Sequence, residues 1–343
     1  MERFEHGGNV YAHPNALDFS ASLNPQGMPA GARRALREGT DAFERYPDPA
    51  CAELVRAIAS FEGVDPSWVL PCAGATDALW RACQALRPRR ALLCAPCYSG
   101  YEQALEQVGC QVVWHELVQR EGFALTDRIL PRIAEDVDVV VLANPNNPTG
   151  VCVDEGVLVS CLEEARRVGA VVVLDECFVD LTPLRGSNHL LSHHSHLVIV
   201  KALTKTFCLA GLRVGHALCS DADTLGRMRD AGQPWAVSVP AQMAGVASLR
   251  DARYVERGRK VVATERARLH AGLQTLGLRV VEGQANYILF QGPPHLWERL
   301  LARGVLVRPC DNFRGLGVGW YRIAVRTPQE NDVLMRQMQE VMR

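Results

Sequence analysis

Between residues 90 and 201 short β-branched runs alternate with amphipathic stretches: "RRALLCA", "YEQALEQVG", "QVVWHEL", "VDVVVLA", "VLVSCLEEARRVG", "AVVVLDE" and "LVIVK". This alternation restricts the fold more than any other feature. Runs such as "VVVLA" and "VVVLD" have no polar alternate positions, so both faces of each strand must be covered. A mainly parallel sheet with helices on both sides meets that demand. Gly169 should close the helix of "VLVSCLEEARRV" as a C′ residue. Thr327, Pro328 and Glu330 spell a capping box with proline at the first helical position. After about residue 236 a long helical pattern, "AQMAGVASLRDARYVERGRKVVATERARLHAGLQTLG", leads to the short strands "NYILF", "GVLVRP" and "WYRIAV". We therefore expect an N-terminal arm and small-domain segment at 1–45, a large domain at 46–235 and a small C-terminal domain at 236–343.

With 343 residues, 48% of them hydrophobic, the chain can bury a substantial core. A formal net charge of -1 provides no global field for nucleic acid or an anionic membrane, so anion binding must be local. No apolar leader and no run of transmembrane length is present, which makes a cytoplasmic location the expectation. The twelve cysteines are scattered, and the pair in "CAPC" (Cys94, Cys97) lacks the second pair that a zinc site needs, so buried thiols and no metal are expected. The histidines of "HLLSHHSHL" read as a polar loop.

Ligands of open α/β sheets bind beyond the carboxyl ends of the strands, and four segments fall there. In "CAGATDAL", Gly74 and Ala75 allow close backbone approach and Thr76 adds a hydroxyl as a helix begins, which suits a phosphate, although such turns are common. "NPNNPTG" (144–150) follows the strand "VVVLA" and, alone, reads equally well as a proline-fixed turn. Asp175 ends an apolar strand in "LDECFVD", where a carboxylate is costly unless it meets a cation or a strong donor. "KALTKTFCLAGLRVG" (201–215) sets Lys205 among apolar neighbours. Burial disfavours a charged ammonium, making Lys205 a candidate nucleophile toward carbonyls.

In order and spacing these four segments resemble pyridoxal-phosphate enzymes of the aspartate-aminotransferase fold (fold type I), over nearly the whole chain. The resemblance implies an α/β large domain with a mainly parallel central sheet, plus a smaller α+β domain formed by the C-terminal part and the N-terminal segment. It makes pyridoxal 5′-phosphate the cofactor, joined to Lys205 as a Schiff base. Gly74, Ala75, Thr76, Thr204 and Arg213 would surround its phosphate. Asp175 would pair with the pyridine nitrogen, Asn147 would bond the phenolic oxygen, and Tyr98 would stack on the ring. Tyr46 in "ERYPDP" resembles the tyrosine that reaches the cofactor phosphate across a dimer interface, implying a homodimer. Two positions depart from the pattern: Ala202 replaces a phosphate-binding Ser or Thr, and Phe178 replaces a frequent Tyr.

"HGGN" (6–9), "LDFSASLNPQGMP" (17–29), "DECFVDL" and "VRPCDNFRGLGVGWYRIAVRTPQEN" (307–331) are similar to the threonine-phosphate decarboxylases of cobalamin biosynthesis, close relatives of histidinol-phosphate aminotransferases. Phe178 fits that subgroup, whereas Pro309 stands where an aspartate is frequent. This likeness implies a phosphorylated amino acid substrate, L-threonine O-3-phosphate, losing carbon dioxide to give 1-amino-2-propanol O-phosphate, with Lys205 returning a proton to Cα. Arg322, with Asn147, would take the substrate carboxylate. His6, Asn24 and Arg314 would lie around the substrate phosphate, and Gly7 and Gly8 would let the arm fold over it. Two other readings stay open. A transaminase acting on histidinol phosphate or a related amino acid would use the same lysine, aspartate and arginines. A non-enzymatic sensor of pyridoxal phosphate would need a DNA-binding segment, for which no helix-turn-helix pattern or basic patch is present.

Overall fold

The computed structural model describes residues 7–251 and 253–343. Its centre is a seven-stranded sheet in the order Val69–Cys72, Gly215–Leu218, Leu197–Ala202, Val171–Asp175, Val139–Ala143, Arg90–Ala95, Gln111–Glu116. Gly215–Leu218 runs antiparallel to both neighbours, and the other pairs are parallel. Uninterrupted apolar strands give the expected two-sided burial. Val140, Leu142, Leu197 and Ile199 enter one core, while Val139, Val141, Val198 and Val200 enter the core on the opposite face. This is the α/β fold anticipated from the alternating pattern.

Punctuation behaves as its chemistry requires. Gly169 closes the helix Glu155–Val168 at φ 78°, a left-handed conformation open to glycine. Thr327 and Glu330 form the reciprocal capping box of the helix Pro328–Met342. The long helical pattern after residue 236 is two helices, Val239–Leu249 and Tyr254–Thr275, interrupted where the polar "RD" of residues 250–251 breaks the apolar spacing. The first packs Ala241, Ala244 and Leu249 with Ala32 and Leu54 into the large core, although it follows residue 236. A separate core holds Phe19, Leu269, Ile288, Phe290, Ile323 and Leu334 beneath a four-stranded sheet ordered Arg308–Pro309, Trp320–Ala324, Tyr287–Gln291, Arg279–Val280. Leu17–Asp18 joins this unit through parallel pairing with Val305–Leu306, so the N-terminal segment packs with C-terminal residues.

Cys94 and Cys97 enter cores on opposite faces of the large sheet. Burial drives both thiols up, Cys94 to about 12, so "CAPC" has neither the geometry nor the ionisation of a redox pair. No described helix is long and apolar enough to cross a membrane.

Candidate active site

A cavity of about 270 Å³ opens at the carboxyl edge of the parallel strands. Register accounts for the gathering of its groups: Ala143 lies beside Asp175, and Asp175 beside Val200, so the loops that leave these strands emerge together. Ala75, Thr76, Tyr98, Asn147, Asp175, Thr204, Lys205, Arg213 and Arg322, separated widely in sequence, all line this one space.

Lys205 occupies the short helix Leu203–Thr206 immediately after the strand Leu197–Ala202. Burial, followed by the positive charges of Arg322 and Arg213, lowers its ammonium to about 8. Its Nζ stands 5.5 Å over the Phe178 ring, which brings no hydroxyl to the amine. Lys201, four residues earlier, points to the other side of the sheet and donates to Glu62 at 2.7 Å and Asp180 at 3.2 Å. Its charge is consumed by those carboxylates.

Gly74 precedes the helix Ala75–Leu86 at φ 89° and offers no side chain to cap it, leaving the first turn open toward the cavity. A Cβ on Gly74 would come within 3.0 Å of Arg213 Nη2, so glycine is what allows the guanidinium to lie against the helix start. Backbone amides, the Thr76 hydroxyl and Arg213 make an anion cradle. Ala202 lines the same cavity with a methyl group where a hydroxyl was the usual expectation.

Across the cavity, Arg322 donates through Nη1 to Asn147 Oδ1 and through Nη2 to Ser20 O at 3.0 Å. Its Nε is buried without a hydrogen-bond partner, leaving a donor for a ligand. The Asp175 carboxylate accepts from Tyr101 Oη at 2.6 Å and from the Cys177 backbone N–H at 2.9 Å. Cys177, Phe178, Ala202, Ala285 and Tyr287 form a small apolar cluster against which this polar set is arrayed.

Several expected residues fall elsewhere. Arg314 is exposed, with its guanidinium 4.5 Å over Trp114, and it does not line the cavity. Arg308 lines it instead. Although Arg314 was the arginine expected near the substrate phosphate, the strand Arg308–Pro309 turns Arg308 inward, where it is 3% exposed and donates to Asn312 Oδ1 at 2.9 Å. Asn24 is also displaced from its expected role. It is buried, donates to Thr206 O at 3.0 Å and receives Gln26 N–H at 3.1 Å, thereby tying the N-terminal segment to the Lys205 helix. Tyr46 is 82% exposed against Trp235, outside this chain's cavity. His6 lies outside the described residues. Tyr101 and Arg308 escaped the sequence reading. The three-residue spacing of "YSGY" would have placed Tyr101 beside Tyr98 at a helix start, and strand parity in "VLVRP" would have turned Arg308 from its neighbours.

Residues 14–338 match the aminotransferase class I and II family. The chain belongs to that family. Within it, the chain is 34% identical to the threonine-phosphate decarboxylase of Salmonella typhimurium, over 98% of this chain and 96% of that protein. It is 26% identical to a histidinol-phosphate aminotransferase of Methanosphaera stadtmanae, over 96% and 91% of the two chains. The crystal structure of the histidinol-phosphate aminotransferase from Clostridium acetobutylicum superposes with a TM-score of 0.89 at 26% identity, covering 95% of this chain and 99% of that one. Aspartate aminotransferase from Thermus thermophilus superposes with a TM-score of 0.82 at 25% identity, covering 94% of this chain and 91% of that one, so the fold of this chain is the aspartate-aminotransferase type. Pyridoxal phosphate is its cofactor, and the cavity fits it. The uncapped helix start with Arg213 suits the phosphate, the lowered Lys205 amine suits the aldehyde, and Asp175 sits at a strand end with cavity-facing carboxylate.

Proposed function

We propose that this protein decarboxylates L-threonine O-3-phosphate to 1-amino-2-propanol O-phosphate, a reaction of cobalamin biosynthesis. The observation that carries the substrate reading is the pairing of two buried arginines, Arg308 and Arg322, in the cavity of Lys205. A substrate with two anionic ends, carboxylate and phosphate, matches two such guanidinium groups. The full-length likeness to a threonine-phosphate decarboxylase supports the same chemistry.

Pyridoxal phosphate, when bound, supplies an electron sink for the pair left on Cα as the carboxylate departs. Ala75, Thr76, Thr204 and Arg213 would hold its phosphate, Asp175 would pair with its ring nitrogen, and Tyr98 would cover one ring face. Arg322, oriented by Asn147 and Ser20, takes the substrate carboxylate, while Arg308, oriented by Asn312, takes the substrate phosphate. Holding both ends limits the torsion about Cα and sets which bond is broken. The Lys205 amine, lowered to about 8, exchanges a proton readily near neutral pH and can return one to Cα.

The exposed pair Tyr46 and Trp235, with ring centroids 4.9 Å apart, supports a homodimer in which Tyr46 reaches the neighbouring cavity. We place the enzyme in the cytoplasm, with two domains in each subunit.

Purified protein given phosphothreonine should release carbon dioxide stoichiometrically with the amino-propanol phosphate. Transamination is the competing reading, favoured by the histidinol-phosphate aminotransferase relatives. Formation of glutamate from 2-oxoglutarate and histidinol phosphate, without carbon dioxide from phosphothreonine, would establish that reading instead.

A further inference from the structure

Asp175 is the only carboxylate among the described residues lining the cavity, and what holds it is Tyr101. The Tyr101 phenol donates to Oδ2 at 2.6 Å, and the Cys177 backbone N–H donates to Oδ1 at 2.9 Å. Each oxygen therefore has its own donor, and together they fix the carboxylate's rotation at the end of the strand Val171–Asp175. A carboxylate offers about four acceptor positions, so two such bonds leave lone pairs for a ligand.

Tyr101 is itself held. It is buried at 2% exposure in the core behind the sheet, and its ring meets the Tyr98 ring edge-on at 5.4 Å and 85°. Burial and the neighbouring Asp175 charge push its phenol well above the ordinary value, so it stays protonated and acts as a donor. Such a fixed donor keeps the carboxylate in the accepting role.

We propose that Tyr101 is a positioning residue of this enzyme: acting through Asp175, it sets the carboxylate that meets the cofactor's ring nitrogen, and so sets cofactor affinity and turnover. The inference rests on the pyridoxal-phosphate reading of the cavity.

The test is a double-mutant cycle on the full-length protein, reading the pyridoxal-phosphate dissociation constant by equilibrium dialysis alongside kcat and KM. Tyr101→Phe keeps the ring and its contact with Tyr98 but removes the donor. It should weaken cofactor binding by about tenfold or more and lower kcat with KM for phosphothreonine nearly unchanged. Added to Asp175→Asn, it should cost little further, because both changes remove one unit. An unchanged dissociation constant in Tyr101→Phe, or additive losses in the double variant, would overturn the proposal. So would a Tyr101→Phe chain that failed to fold, since Tyr101 would then be structural. Failure of the unaltered protein to bind pyridoxal phosphate would remove the cofactor reading and this inference together, a result distinct from normal binding with a silent Tyr101.

Discussion

A Cβ at position 100 would stand 2.3 Å from Cε1 of Tyr98, so glycine alone leaves that ring in its present place over the cavity. The helix Gly100–Glu106 begins where the chain passes directly under the Tyr98 side chain. Gly100→Ala should therefore push the ring out of the cofactor's stacking position at an overpacking cost of about 1–3 kcal/mol. Cofactor affinity, followed by dialysis, should fall while the folded apoprotein persists. Equal affinity in the variant would show that Tyr98 does not stack on the ring.

Lys205 and Lys201 are separated by the sheet. Borohydride reduction of the holoprotein should attach the cofactor to Lys205, and Lys205→Ala should abolish labelling and turnover. Capture of pyridoxal phosphate by apoprotein needs the neutral amine, so its rate should rise with pH through about 8, well below the 10.5 of an ordinary lysine. Labelling of Lys201, whose ammonium is bound by Glu62 and Asp180, would contradict the assignment.

Substrate phosphate should be read by Arg308 and not by Arg314. Loss of one charged donor costs about 1.5–3 kcal/mol, so Arg308→Ala should raise KM for phosphothreonine roughly ten- to hundredfold. Unphosphorylated threonine should respond little. Arg314→Ala removes an exposed cation from the Trp114 face and should change KM by less than about fivefold, the scale of an exposed cation–π contact. Reversal of that order in a steady-state comparison would restore Arg314 to the site.

Glu176, next to Asp175, faces the opposite side of the sheet. It is buried, accepts from Ser187 N–H and Oγ, and burial raises its carboxyl from 4.5 to about 7. Between those values the native state holds a proton that the unfolded chain has lost, so this group's contribution to stability decreases as pH rises from 4.5 toward 7. The full decrease is about 3 kcal/mol. Glu176→Gln stays neutral throughout, so the stabilities of the two proteins from urea unfolding should diverge as pH rises from 5 to about 7 and run parallel above it. Parallel pH profiles would mean Glu176 is ionised in the native state at low pH.

Much of the architecture was legible because local chemistry agreed with the global fold. Apolar runs with no polar alternation had to be buried on both faces, and Gly169 and the Thr327–Glu330 box marked ends that need no tertiary help. Lys205 and Asp175 stood out because a lysine among apolar neighbours and a carboxylate ending an apolar strand are costly without a partner, whereas Asn147 and Arg213 were reached through the family resemblance; all four line the one cavity. The break between the helices Val239–Leu249 and Tyr254–Thr275 was less legible, because apolar spacing continues on both sides of it.

Sequence by itself determined the strand ends and the caps, which depend on neighbours within a few residues, and, through the order of four segments along the chain, the family of chemistry. Tertiary structure decided which arginine enters the cavity, where Asn24 is spent, and what orients Asp175. Arg308 and Arg314 are six residues apart in one loop-rich segment, and only the pairing of Arg308–Pro309 with Trp320–Ala324 turns one inward and leaves the other on Trp114. Asn24 meets Thr206 across 182 positions, and Tyr101 meets Asp175 across 74. Hydrogen bonds closed over such separations are set by how whole layers pack, and no local pattern carries their register.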